Sequence, residues 1–473
     1  MRLFLLILAL TLAGRAWADG LPDLGEASSS AFSDKDERQV ASEIMREIRN
    51  SREVLDDPEV TEYINNLGYR LVAASDDSKL NFEFFLVKDP TINAFALPGG
   101  FVGVHTGLIT AAQNESELAG VLAHEIGHVT QKHFARQMAN QQLLLIPSLA
   151  ALAVAILAAR SNPDIAQAAI VAAQAGAVQN SLDFTRDNER EADRTGMRTM
   201  VRADFDPQGM GTFFHRLQKA DRSTDTASPA YLRTHPLTTE RIADMQNRTA
   251  QTGYRQIPNS MEFDLVRSKV RVVDKGPEAA TKFFESQLRE ERYADVNAAR
   301  YGLVNALLAG HDLARAKAEF RKVEKAAPPH PMIQNLGAQI DLAGRSVDAA
   351  VARLERAHVE FPASRTLVYA LADARLRRGD NESALALVRT NLGLYPDDYH
   401  LYALEARAQA QAGRRLAMHR AQAEAYVRMG LTAAAIEQLE LGVKAGDGDF
   451  YQLSSAEARL KDLRALLPAK KGR

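Results

Sequence analysis

Two hydrophobic periods share the first half of this chain, and one governs the second. Val40, Ile44 and Ile48 are spaced for one helix face, and a second helix is expected from about Pro58 to Val72. Residues 80–89 (LNFEFFLVKD) alternate and predict a strand. Asn93 to Thr106 (NAFALPGGFVGVHT) predicts two short strands around Pro98-Gly99-Gly100. Asn114 to Gln137 returns to helical spacing, with Leu118, Val121 and Leu122 as its apolar stripe. Asn114 suits the N-cap of that helix, and Glu117 stands three residues on, where a capping box needs it. Leu143 to Ala159 is almost wholly apolar, and Ala168 to Val178 is rich in Ala and Val.

From about Met261 the composition shifts to Ala, Leu and Arg at helical spacing, and a repeat emerges. Gly276, Gly310, Gly344, Gly379 and Gly413 are spaced 34, 34, 35 and 34 residues apart, and Pro328, Pro362 and Pro396 recur every 34. Gly at an inter-helix turn and Pro after the second helix, at this period, resemble tetratricopeptide repeats. Each helix pair buries its face only by stacking on its neighbours. Leu431 to Leu466 breaks the strict pattern and is expected to form capping helices. The repeats predict a concave surface for a protein partner or client; the alternative is a scaffold that positions the first domain.

The N-terminus changes the compartment. Arg2, the apolar run Leu3 to Ala13 and Ala16-Trp17-Ala18 read as a signal peptide over 1–18, with the mature chain beginning at Asp19. The alternative, an uncleaved anchor, needs an apolar run of about 20 residues. There is no Cys, which excludes a disulfide framework, a lipidated N-terminal Cys and thiol catalysis. Without the leader, 56 Lys and Arg face 60 acidic residues, a formal charge of −4 that gives no sign of nucleic-acid binding. Residues 143–178 have three readings: a packed helical pair or lid near the cleft, a contact with a membrane or partner surface, or a membrane hairpin. Pro147 and the short, Gln-containing second half weigh against the last.

The chemistry gathers at His124-Glu125-Ile126-Gly127-His128, an H-E-x-x-H motif. On a helix, His124 and His128 project from the same side about one turn apart and can reach one metal ion. Glu125, beside the first ligand, is placed to take a proton from water activated by that metal. Gln131 and Phe134 stand where a metzincin needs Gly and His, which excludes that class. The best candidate for a third ligand is Glu189, in the stretch RDNEREADRTG from Arg186 to Gly196. Asp193, four residues on, shares its helix face and can hydrogen-bond the far nitrogen of a ligating His. Glu191 is expected to face elsewhere. A solvated charged helix is the alternative for this stretch. Two His and one Glu favour zinc by ligand type.

H-E-x-x-H, then E-x-E-A-D-x-x-G some sixty residues later, then His235-Pro236 with Arg241 six residues after the His, resembles the M48 zinc metallopeptidases. With the leader and the repeats, the chain is similar to their periplasmic β-barrel assembly-enhancing group. The resemblance implies a mainly α fold with a small β-sheet, a zincin-like domain over 19–260, and an α-solenoid of tetratricopeptide repeats over 261–473. It implies one Zn²⁺ per chain. It implies that Asn93, Ala94, Phe95 and Ala96 lie on an edge strand that binds substrate through its main chain. It puts His235 near the metal, either as a donor to a developing oxyanion or as a fourth ligand that holds the enzyme off. Arg241 supports the same charge or orients its neighbours, unless it only makes a surface salt bridge. His105 is expected to be a polar strand-end residue and not a ligand. The implied partners are unfolded or misassembled outer-membrane proteins and their assembly machinery, with membrane-surface contact through 143–178 in addition. The alternatives are a repeat-based chaperone whose zinc site is silent and, if 143–178 enters the bilayer, an intramembrane protease.

Overall fold

A computed structural model of the chain describes residues 53–141, 185–223, 229–251 and 257–466, with a few helical positions between 37 and 48. The expected leader and the apolar segment 143–178 lie outside the described residues. Among those described, no helix is long and apolar enough to cross a membrane.

The first half is built on two helices and a small sheet. Helix α1 spans Pro58–Ala73; the Asp57 side chain accepts from the Glu59 and Val60 amides, and Pro58 fits the first turn. Strands β1 (Glu83–Val87), β2 (Ala94–Leu97) and β3 (Phe101–His105) form a sheet in the order β1-β3-β2. β1 pairs parallel with β3, and β2 antiparallel with β3, so β2 is an edge. Pro98–Gly100 makes the expected turn, with φ of 75° at Gly99 and 84° at Gly100. Glycine takes that left-handed backbone without strain. The short helix α2 (Thr106–Ala111) leads into α3, Glu115–Thr130. Asn114 caps α3 by accepting from the Glu117 amide. The capping box differs from expectation in one bond. Glu117 accepts from the Gln113 amide and pairs with Arg216, whose guanidinium draws the carboxylate outward.

Helix α4 (His133–Gln141) follows directly on α3, and α5 (Arg186–Arg202) packs along it. Their approach is close because small residues face each other. A Cβ on Gly196 would lie 3.0 Å from the His124 amide nitrogen, and one on Gly127 would lie 3.1 Å from Ala192 Cα. A larger residue at either position would push the two helices apart. Helices α6 (Gln208–Ser223), α7 (Ala230–Thr234) and α8 (Thr239–Gln251) are the remaining elements of this half among the described residues.

The second half is a stack of helix pairs. They are α9 (Met261–Lys275) with α10 (Pro277–Arg289), α11 (Val296–Ala309) with α12 (Leu313–Ala326), and α13 (Pro331–Ala343) with α14 (Val347–Glu360). Next come α15 (Arg365–Arg378) with α16 (Asn381–Leu394), α17 (Tyr399–Gln411) with α18 (Arg415–Arg428), and α19 (Thr432–Val443) with α20 (Phe450–Ala465). The five periodic glycines sit in the turns inside the pairs, and Pro328, Pro362 and Pro396 fall between pairs.

The hydrophobic core does not stop where the repeats begin. One buried cluster runs from Val60 through Val121 and Phe263 to Ile340. α1 ties the halves by polar contacts as well. Glu59 is buried and accepts from Lys269 and from Asn335 (2.8 Å). Glu62 accepts from the Arg365 and Thr366 amides at 3.0 and 3.1 Å, capping α15. Tyr63 donates to Glu115 (3.0 Å) at the start of α3.

Glu262, on the first turn of α9, is half-buried in this acidic neighbourhood. Burial, and then Glu62, Glu115 and Glu59, raise its carboxyl from 4.5 to about 7. With its folded pKa above its unfolded one, the folded state holds this proton more tightly. Glu262 therefore costs nothing at low pH and destabilises progressively as pH rises from about 4.5 through 7. Glu262→Gln should match wild type in thermal melts at about pH 4 and exceed it by about 1–2 kcal/mol at about pH 8, after solvent screening. A gain of equal size at both pH values would contradict this.

Candidate metal centre

His124, Glu125 and His128 project from α3, Glu189 and Asp193 from α5, and His235 from the end of α7. All six are buried. Donor atoms of His124, His128, Glu189 and His235 all lie within 4.8 Å of one another. His124 and His128 bring their Nε2 atoms to 3.0 Å, as the four-residue helical spacing requires. Glu189 Oε1 is 3.4 Å from His128 Nε2 and Oε2 is 3.5 Å from His124 Nε2. His235 Nδ1 closes the group, 3.0 Å from Glu189 Oε1 and 3.4 Å from His124 Nε2.

This donor set fits a divalent metal. Two bare imidazole lone pairs 3.0 Å apart repel unless a proton or a cation lies between them. Among the described residues, neither carboxylate oxygen of the fully buried Glu125 has a hydrogen-bond partner, and Oε1 is 3.5 Å from His235 Nε2. Buried polar atoms are rarely left in this way without a functional reason.

Charge follows the same logic. Burial alone would lower the His124 pKa, but Asp193 and Glu189 outweigh it and raise it to about 9. A bound metal would compete with a proton for the His124 lone pair. Burial drives His128 well below its ordinary value. Burial raises the Glu189 carboxyl, yet the histidines around it, His235 first, hold it well below the usual range.

A second layer orients these groups. Asp193 Oδ1 is 3.0 Å from His124 Nδ1. Arg241 is almost completely buried, which rules out a surface salt bridge. Its Nε and Nη2 donate to the two Asp193 oxygens at 2.7 and 2.8 Å, and its Nη1 lies 2.7 Å from Glu189 Oε2. Burial raises the Asp193 carboxyl, but Arg241 and His124 together bring it below its ordinary value.

Two residues near the centre, Tyr231 and His133, gave no usable sequence signal. Tyr231, buried, stacks on the His235 ring with centroids 4.7 Å apart and 24° between planes. Its hydroxyl has no hydrogen-bond partner among the described residues, and burial and then Glu125 raise its pKa well above the ordinary value. His133 Nδ1 lies 2.9 Å from His128 Nδ1, and its Nε2 lies 3.0 Å from Glu191. Burial lowers His133 to about 4. Glu191 does face away from the donor cluster, as expected, but toward His133 and Arg136. A His five residues past His128 lies beyond the helix end, where helical spacing says nothing of its direction. Tyr231, four residues before His235, falls in a helix of five residues, too short to show periodicity.

Elsewhere, Asn93 precedes β2, whose Ala94 is buried and whose Phe95 and Ala96 are half-buried alongside α3. His105 ends β3, its Nδ1 3.1 Å from Thr91 Oγ1, outside the donor cluster.

A family profile described as "Peptidase family M48" matches residues 58–249. The chain is 33% identical over 453 residues to the beta-barrel assembly-enhancing protease of Escherichia coli (strain K12), covering 95% of this chain and 92% of that one. The chain belongs to peptidase family M48. Two further likenesses are partial. The putative beta-barrel assembly-enhancing protease of Vibrio cholerae is 43% identical over 250 residues, 53% of this chain and 51% of its own length. The mitochondrial metalloendopeptidase OMA1 of Schizosaccharomyces pombe is 34% identical over 186 residues, 39% of this chain and 52% of its own. The M48 chain is thus a metallopeptidase: a zincin-like domain followed by a helical region.

Proposed function

We propose that this M48 metallopeptidase is a periplasmic zinc endopeptidase acting on misfolded or stalled outer-membrane proteins, with a chaperone-like part in their assembly. The catalytic half rests on one observation: Glu125 is fully buried beside the donor cluster and, among the described residues, neither oxygen accepts a hydrogen bond. A buried carboxylate left in this state costs folding free energy, and a silent scaffold would gain by losing it.

Zinc, one ion per chain held by His124, His128 and Glu189, supplies Lewis acidity that polarises a peptide carbonyl and acidifies water. Glu125 takes the proton from the attacking water and returns it to the leaving amine. Asp193 Oδ1, 3.0 Å from His124 Nδ1, holds the ring proton on that nitrogen by its charge and so leaves the Nε2 lone pair toward the cluster. Arg241 fixes Asp193 and Glu189 in place. His235 has two roles open to it: donating to the developing oxyanion, or filling a fourth donor position and holding the enzyme off.

Main-chain groups of Asn93, Ala94, Phe95 and Ala96 take the substrate as an added strand, so many side chains are tolerated. The edge position of β2 beside α3 supports this. In this reading residues 1–18 are removed after Ala18, 19–260 form the catalytic domain, and the tetratricopeptide-like repeats from 261 engage clients or assembly machinery. A groove of about 960 Å³ between the halves supports client binding; Tyr69, Glu62, Arg365, Tyr369, Tyr395 and Arg428 line it. The name and the near-full-length likeness of the Escherichia coli relative support the outer-membrane setting.

The test is metal content and casein cleavage, measured together on protein beginning at Asp19, for wild type and His235→Ala. About one zinc per chain and chelator-sensitive cleavage are expected. Raised activity in His235→Ala would assign the blocking role, and lost activity the donor role. Absence of zinc from both proteins would remove the ligand assignment and leave a repeat-based chaperone as the better account.

A further inference from the structure

We infer that His133 and Glu191 are positioning residues that set the tautomer of His128, doing through two residues what Asp193 does for His124 directly. The inference rests on the proposed ligand role of His128.

The argument begins at the end of α3. Gln131 caps the helix, its amide donating to Gly127 O. Lys132 then takes a left-handed backbone, with φ of 52°, and α4 starts at His133. That single left-handed residue turns the chain, so the His133 ring comes back against His128 from behind. The two rings meet edge to face, 4.9 Å between centroids and 75° between planes. His133 is fully buried.

The hydrogen bonds can run in only one direction if His128 is to ligate. His128 turns Nε2 toward the donor cluster and Nδ1 toward His133. A ligating Nε2 needs its lone pair, so the proton of neutral His128 must sit on Nδ1. His128 Nδ1–H then donates over 2.9 Å to His133 Nδ1. His133 must accept there and carry its own proton on Nε2. Glu191 enforces this: an ionised carboxylate only accepts, and its Oε2 lies 3.0 Å from His133 Nε2. Arg136, one turn beyond His133 on α4, donates to the same oxygen at 2.6 Å and keeps Glu191 ionised and in place. In the reverse direction His133 would donate to His128 Nδ1, the His128 proton would move to Nε2, and that nitrogen could not bind a cation.

Both metal-facing histidines of α3 therefore end on carboxylates of α5: His124 directly on Asp193, His128 through His133 on Glu191. The two carboxylates stand two residues apart on one helix. One lies on the face toward the donor cluster and the other on the flank reached by α4.

The test uses the full mature chain in three variants, His133→Phe, His133→Asn and Glu191→Leu. Zinc dissociation constants are measured by chelator competition. The His128 tautomer is read in metal-free protein by long-range proton–nitrogen NMR on labelled histidine. His133→Phe removes the acceptor and should weaken zinc binding about 10- to 100-fold. His133→Asn, whose side-chain oxygen can take the place of Nδ1, should recover most of that loss. Glu191→Leu should convert a single Nδ1–H tautomer of His128 into a mixture. Wild-type zinc affinity in all three variants would overturn the inference, as would equal losses in Phe and Asn. Should His133→Phe fail to fold, the Asn and Leu variants decide by the same readings. If the wild-type chain bound no zinc, the ligand reading would fail first, while the metal-free tautomer comparison would still read the relay.

Discussion

Glu125→Gln should lower peptide hydrolysis by about 10²–10⁴-fold while leaving zinc content and fold unchanged. The substitution is nearly isosteric and removes only the ability to take a proton. Structurally it should cost little, because among the described residues neither Glu125 oxygen accepts a hydrogen bond and the side chain is fully buried. Replacing a buried charge by a neutral amide at such a place should leave thermal stability unchanged or raise it. The measurement is casein cleavage beside bound zinc and a thermal melt on the same preparation. Retained cleavage would remove Glu125 from the chemistry. Lost cleavage with unchanged client binding would separate the peptidase from the repeats. Unchanged cellular function in the variant would favour a scaffold whose metal centre is silent.

Arg241→Met should be the most destabilising single change near the centre, at about 3–5 kcal/mol in metal-free protein. The guanidinium is almost completely buried and meets both oxygens of Asp193, Glu189 Oε2 and the Pro236 carbonyl, the last at 2.8 Å. Its removal strands two buried carboxylates. A bound divalent cation would offset part of that charge, so the gap from wild type should narrow when zinc is added. Arg241→Lys keeps the charge but not the planar fork and should fall between the two. Denaturant titrations with chelator and with zinc read both effects. A metal-free Arg241→Met protein within about 1 kcal/mol of wild type would contradict the account, since it would mean the carboxylates are not charged there.

Legibility in the sequence followed the range of the interaction. His124 and His128 lie one helical turn apart, and so do Glu189 and Asp193, so helix geometry alone gives each pair a common face. The Asn114 cap, the Pro98–Gly100 turn and the repeat turns are equally local, set by backbone preferences of a few residues. Arg241 shows where this stops. Sequence left it between surface and interior, and its partner Asp193 is 48 residues away. His133 and Glu191 are 58 residues apart and meet because one left-handed residue, Lys132, redirects the chain.

By itself, the sequence determined that an H-E-x-x-H helix, a second acidic helix and a 34-residue helical repeat follow one another along the chain. Each is a periodic pattern, and a period of 3.6, 2 or 34 residues is visible without knowing what packs on it. Tertiary structure alone decided what converges. It brought His235 against His124 across 111 residues, buried Arg241 between two carboxylates, and put His133 behind His128. It also carried one core from Val60 through Phe263 to Ile340, across the point where the composition changes at 260/261. The reason is close packing: Gly127 and Gly196 let α3 and α5 approach, and that approach sets which distant side chains can touch.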